Sequence, residues 1–152
     1  MTGNYFSPLG NIVFHVEDGH LTSLFFGPHT AEDNSPLIQS VQESLRMYFN
    51  KEITSFHLPI SLKGTAFQKR VWTLLLEIPY GTTQSYQEIA IGLGMPKAAQ
   101  AVGQACKKNP IGILIPCHRV IGKNGDMVGY SGKEFIDLKR QLLKHEKNEV
   151  SN

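Results

Sequence analysis

SYQEIAIGLGMPKAAQAVGQACKKNP, residues 85–110, is the stretch that decides the fold. Ser85-x-x-Glu88 has the form of a capping box, in which the serine and glutamate side chains satisfy free backbone donors at a helix start. It opens a short helix to about Gly92. Leu93-Gly94-Met95 is a tight, glycine-containing connection. Pro96 then suits the first position of a second helix, where no N–H is needed. That helix ends by Asn109, because a residue before proline is pushed out of the helical region. Two short helices about a glycine turn make a helix-turn-helix. The second helix is rich in small residues: Ala98, Ala99, Ala101, Gly103 and Ala105, with Val102 facing inward. Lys97, Gln100, Gln104, Lys107 and Lys108 make another face polar and basic. A slim helix with basic ends suits a DNA groove. Tight packing inside a core is the competing reading.

Upstream, Thr65-x-x-Gln68 is a second capping box. Phe67, Val71, Leu74, Leu75 and Ile78 follow as one helix face, ended by Pro79-Tyr80-Gly81. Lys63-Gly64 is a plausible boundary, so the chain divides into residues 1–63 and 64–152. The first part reads as a hairpin and a helix. Ile12, Phe14 and Val16 alternate as a half-buried strand does. Asp18-Gly19 is a tight-turn dipeptide, and Leu21 to Phe26 returns. Ser35-Pro36 caps a helix whose face is Leu37, Val41, Leu45 and Tyr48. Leu58, Ile60 and Leu62 alternate as a further strand.

Downstream, the apolar run Ile111–Ile115 is too short for a helix and reads as buried extended chain. It delivers Pro116-Cys117-His118-Arg119-Val120. A free thiol is only a few per cent thiolate at neutral pH. An adjacent imidazole can take its proton, so Cys-His is a candidate activated nucleophile. A buried structural cysteine beside a histidine is the bland alternative. Asn124-Gly125 marks a turn, and Gly129-Tyr130-Ser131-Gly132 a loop. From about Glu134, Phe135, Leu138, Leu142 and Leu143 mark a last helix carrying His145 and Glu146.

Composition narrows the class. Of 152 residues, 41% are hydrophobic and 18% charged, as in ordinary globular proteins. No apolar run approaches the roughly 20 residues that span a bilayer, and no signal peptide opens the chain. The expected setting is cytoplasmic. Cys106 and Cys117 are too few for a disulfide framework. No Cys/His cluster has zinc spacing, so no metal is expected. Residues 1–62 hold 2 basic and 6 acidic side chains, net −4; the rest hold 13 and 7, net +6. A basic second half points to a polyanionic partner.

These motifs, in this order, resemble the O6-alkylguanine-DNA alkyltransferases. The likeness is close from about Thr65 to Glu146 and includes Ile78-Pro79-Tyr80-Gly81, Ser85-Tyr86, Pro96-Lys97-Ala98-Ala99, Asn109-Pro110 and Gly129-Tyr130-Ser131-Gly132. The N-terminal third is similar through Pro8-Leu9-Gly10 and the hairpin. The resemblance implies an α+β protein. A small N-terminal α/β domain with an antiparallel hairpin sheet, RNase H-like, precedes a mostly helical, winged-helix-like domain with the helix-turn-helix.

It also implies a chemistry. Cys117 would accept an alkyl group from O6 of guanine in double-stranded DNA and be consumed. His118 would deprotonate it through a water, oriented by Glu146. Asn109 would hold the turn, and Tyr86 would protonate the leaving guanine. Ser131, Tyr130 and Gly132 would meet O6, and the carbonyls of Cys117 and Val120 the exocyclic amine. Lys97, Ala98, Ala99, Gln100 and Arg119 would meet DNA from the minor groove. Gln100 stands where the family commonly has arginine, and Gly112 where some relatives have proline. The protein would need no cofactor and act as a monomer. A damage-binding module without transfer, a Cys-His hydrolase and a helix-turn-helix regulator are the other readings. The first would have another residue at the acceptor position. The hydrolase would need an oxyanion hole. The regulator would need a sensory or dimerisation segment.

Overall fold

The computed structural model describes residues 1–122 and 133–147. The chain separates into two compact units, Met1–Lys63 with Pro110–Leu114, and Gly64–Asn109 with the chain from Ile115.

The first unit is a three-stranded antiparallel sheet, β1 (Thr2–Ser7), β2 (Gly10–Glu17) and β3 (His20–Phe26), in that order, with helix α1 (Pro36–Phe49). Asp18 and Gly19 have φ of 49° and 75°, the left-handed pair that a two-residue turn between Glu17 and His20 requires. Ile12, Phe14, Val16, Leu21 and Leu24 are buried with Ile38, Val41, Leu45 and Tyr48 of α1. Ser35 caps α1 by accepting from the Ile38 N–H at 3.2 Å, with Pro36 at the first helical position.

Strand β1 has no apolar alternation to announce it. Its buried positions are Gly3, Asn4 and Ser7, while Phe6 is 82% exposed. Asn4 is satisfied by Thr30, donating to its carbonyl at 3.0 Å and accepting from its N–H at 3.2 Å. Gly3 admits the Phe14 ring, since a Cβ there would lie 2.4 Å from it.

Two expected elements are shorter or different. The strand at 58–62 reduces to one parallel bridge, Ile60 to Leu21, because Pro59 has no N–H to continue a ladder. The run 111–115 is not extended. Ile111 bridges Leu24 in parallel, then the Leu114 N–H bonds the Gly112 carbonyl at 2.8 Å, with Ile113 at φ 69°. That is a tight three-residue turn, rare for a β-branched residue. The pairing with β3 is what joins Pro110–Leu114 to the first unit.

In the second unit, α2 (Ala66–Leu75), α3 (Tyr86–Gly92) and α4 (Ala99–Lys107) pack together. Both capping boxes are formed, at Thr65/Gln68 and Ser85/Glu88. Gly94, at φ 74°, turns the chain between α3 and α4. The expected helix from Pro96 begins three residues later. Pro96 and Lys97 instead occupy a turn closed by the Ala98 N–H on the Met95 carbonyl at 2.9 Å. Buried Trp72 ties α2 to α4 by donating from Nε1 to the Ala105 carbonyl at 2.9 Å. A two-residue strand β4 (Gln84–Ser85) pairs in parallel with β5 (Val120–Ile121), which follows a 3-10 turn at Cys117–Arg119. Helix α5 (Lys133–Glu146) packs on that turn.

Candidate active site

Cys117 opens the 3-10 turn and is buried. The Cys117 N–H donates to the Ile115 carbonyl at 2.7 Å, across Pro116 at φ −80° and ψ 63°. These are the angles of an inverse γ-turn, a soft minimum that proline's fixed φ favours. Asn109 donates from Nδ2 to that same Ile115 carbonyl at 2.8 Å. The turn that presents the thiol is therefore tied from both sides.

Next in the chain, His118 is 1% exposed and meets Glu146 of α5, Nε2 to Oε2, at 2.6 Å. Glu146 is wholly buried and also accepts from Arg119, Nε to Oε1 at 2.8 Å and the second guanidinium N–H to Oε2 at 2.9 Å. The Gly81 N–H adds a longer contact to Oε1, 3.3 Å. Arg119 further donates to the Ile78 carbonyl at 2.7 Å and lies over the Tyr80 ring, 5.6 Å from its centroid. An ionised carboxylate only accepts, so the shared hydrogen belongs to His118 Nε2. That assigns Nδ1 as the bare nitrogen, and Nδ1 is buried with no hydrogen-bond partner among the described residues. Burial is the largest influence on this imidazole and holds it below its ordinary pKa. Arg119 and Lys139 push the same way, and Glu146 opposes them. These influences favour the neutral ring, whose Nδ1 can accept a proton.

Tyr86, the first residue of α3, is buried, and its hydroxyl accepts from Lys139 Nζ of α5 at 3.1 Å. Val120 is buried in β5. On α4, Val102, Ala105 and Cys106 face inward, whereas Gln100, Ala101, Gln104 and Lys107 are exposed, with Lys97 before and Lys108 after. Ala98 and Ala99 are half-buried at its start. Cys106 lies buried on the inward face of α4, where burial pushes its thiol well up, Cys117 adding to the effect.

The structure thus brings Cys117, His118, Glu146 and Asn109 to one turn and its supports, and sets Gln100 and Lys97 on a separate, wet surface. Tyr130, Ser131 and Gly132 lie outside the described residues. Arg119 departs from the expectation that it meets DNA. Its side chain is 8% exposed and clamps Glu146. Lys139 went unnoticed in the sequence. The available signal was its spacing, which puts it on the α5 stripe with Leu142, Leu143 and Glu146. Among the described residues no group of three or more His, Cys, Asp or Glu side chains is placed to hold a metal.

Fold and site define a helix-turn-helix protein that carries a buried Cys-His pair backed by a carboxylate. Residues 66–148 match the family model "6-O-methylguanine DNA methyltransferase, DNA binding domain", and residues 2–62 the ribonuclease-like domain of the same family. The chain belongs to that family. It is 40% identical to the constitutive methylated-DNA–protein-cysteine methyltransferase of Bacillus subtilis, over 95% of this chain and 96% of that one. The crystal structure of the Mycobacterium tuberculosis O6-methylguanine methyltransferase is similar at TM-score 0.86 and 41% identity, covering 97% of this chain and 94% of that one. The same Mycobacterium protein in complex with DNA is similar at TM-score 0.86 and 40% identity, covering 97% and 92%. The expected α+β architecture, with its ribonuclease-like first part and DNA-binding second part, is the one found.

Proposed function

We propose that this chain repairs DNA directly, moving an alkyl group, methyl foremost, from O6 of guanine onto its own Cys117. The observation that carries the reading is His118, locked through Nε2 on Glu146, with a buried Nδ1 that has no hydrogen-bond partner among the described residues, one residue along from Cys117. In this chemistry the Cys117 proton passes through a water to Nδ1, and Glu146 holds the resulting imidazolium in place. The thiolate attacks the alkyl carbon. The carbon–O6 bond breaks, its electron pair stays on guanine, and Tyr86 gives the ring a proton. The product thioether has no route back, so each chain acts once.

The partner is double-stranded DNA. The base is rotated out of the stack to reach the thiol, at a few kcal/mol that a poorly paired damaged base reduces. The exposed face of α4 enters the minor groove, with Lys97, Ala98, Ala99 and Gln100 in contact. The small side chains let the helix approach a narrow groove. Ser131, Tyr130 and Gly132 meet O6, and the carbonyls of Cys117 and Val120 select the guanine amine. Residues 1–63 and 64–152 act as the two domains of a monomer that needs no cofactor. We place its work in the cytoplasm; no described helix is long and apolar enough to cross a membrane.

The test is incubation with a duplex bearing one O6-methylguanine, followed by peptide mass spectrometry. One methyl per chain on the Cys117 peptide is the expected result. Tight binding without a mark would favour a damage-binding module instead. A mark on Cys106, or repeated turnover, would overturn the assignment.

A further inference from the structure

Pro96 leaves a gap in the turn between α3 and α4. Helix α3 ends with the Gly94 N–H on the Ile91 carbonyl and the Met95 N–H on the Ala90 carbonyl, both at 2.9 Å. A glycine in the left-handed region permits that pairing. The Leu93 carbonyl is left over. An ordinary turn would close it with the N–H three residues on, but that residue is Pro96, which has none. Its donor comes from another helix. Arg70 of α2 donates from one terminal nitrogen to the Leu93 carbonyl at 2.8 Å, and its other terminal nitrogen lies 4.0 Å from the Met95 sulfur. A cation suits the place, because the carbonyl end of a helix carries partial negative charge. A charged donor also makes the stronger hydrogen bond.

The same turn is held from α3, where the Gln87 amide donates to the Pro96 carbonyl at 2.7 Å. Helix α2 meanwhile holds the last turn of α4, through Trp72 on the Ala105 carbonyl. Two residues apart on α2, Arg70 and Trp72 thus fix both ends of α4. Arg70 is exposed and belongs to the basic half of the chain, where an arginine invites a phosphate contact. Its guanidinium is instead committed to the turn.

Resting on the alkyl-transfer reading above, we propose that Arg70 is a positioning residue for base extrusion, bracing the α3–α4 turn so that Lys97, Ala98, Ala99 and Gln100 meet the groove at one fixed angle. It acts through the turn and not on DNA. A shift of about 1 Å in a working group can cost about a hundredfold in rate, so the brace governs transfer from duplex. The thiol does not depend on it. Cys117 and His118 are held by bonds of their own, from Asn109 to the Ile115 carbonyl and from His118 to Glu146.

The experiment compares the wild-type chain with Arg70→Met and Arg70→Lys. The lysine keeps the charge but not the two-nitrogen fork. Methyl transfer to Cys117 is timed in a single turnover from saturating O6-methylguanine duplex, which takes affinity out of the rate. The same chains are treated with methyl iodide, which brings a methyl carbon to Cys117 with no DNA. Affinity for undamaged duplex is followed over a salt series. Arg70→Met should slow transfer from duplex roughly tenfold, and Arg70→Lys should remain slow. Both should take methyl from methyl iodide at the wild-type rate and keep the wild-type slope of log affinity against log salt. An unimpaired Arg70→Met, or an Arg70→Lys at the wild-type rate, would overturn the proposal. So would a slope reduced by about 1, which would make Arg70 a phosphate contact. An equal loss with methyl iodide would overturn it too, making Arg70 a prop of the thiol. In all four, methyl from the duplex on wild-type Cys117 would leave the repair reading standing. Its absence there would remove both.

Discussion

At Glu146 one carboxylate answers the His118 ring, the Arg119 guanidinium and the Gly81 backbone among the described residues. Removing it strands a buried cation. Glu146→Ala is therefore expected to destabilise the fold by about 3–5 kcal/mol, read from the urea midpoint at unchanged slope. Transfer should be lost with it. The imidazole gives the pH dependence its sign. In the unfolded chain it takes a proton near pH 6.5. In the folded protein burial delays that protonation to lower pH. The unfolded state then binds more protons just below neutrality, so this group's contribution to stability is full above that window and drains away as pH falls. Transfer should fail over the same acid range, because a protonated Nδ1 cannot accept. A His118→Gln variant should show a flatter stability profile there; an equally steep one would place the acid sensitivity elsewhere. The Cys-His pair was legible in the sequence because adjacency is written in the chain. Arg119 was misread as a DNA contact, since a surface arginine and a buried clamp look alike until α5 brings Glu146 against it.

At the scale of elements, legibility followed apolar periodicity and capping. Helices α1, α2 and α3 start where Ser35, Thr65 and Ser85 say they should, because each cap satisfies orphan N–H groups locally. Strand β1 was missed because it buries Gly3, Asn4 and Ser7, whose fit depends on Phe14 and Thr30 far along the chain. The turn at Ile113 was missed for a similar reason. Nothing local favours an isoleucine at φ 69°, and its neighbours' pairing with Leu24 imposes it. The exposed face of α4, by contrast, was legible, since Val102, Ala105 and Cys106 leave Gln100 and Gln104 outward. A glutamine at position 100 can offer hydrogen bonds to an unpaired base but no charge. Gln100→Arg should tighten binding to duplex DNA and speed repair of duplex substrate. The rate on a free O6-alkylguanine base, which needs no flipping, should stay the same. Equal duplex rates for the two proteins would argue that Gln100 takes no part in extrusion.

Over the whole chain the charge asymmetry sets how repair responds to salt. The net of +6 after residue 62 belongs to the part that matches the family's DNA-binding domain, and the −4 to the ribonuclease-like part. Each phosphate neutralised releases counterions, so affinity falls steeply with salt in proportion to the contacts made. Such contacts position the protein and carry no sequence information. Lys97, in the turn before α4, is exposed and is the cation nearest in sequence to Gln100. Lys97→Gln should weaken binding to undamaged and methylated duplex by the same factor. It should also reduce the slope of log affinity against log salt by about 1. Fluorescence anisotropy over a salt series measures both at once. A variant that lost affinity for methylated duplex alone would assign Lys97 to reading the lesion. An unchanged slope would take it off the phosphates altogether and move the minor-groove contact toward Lys107 and Lys108 at the other end of the helix.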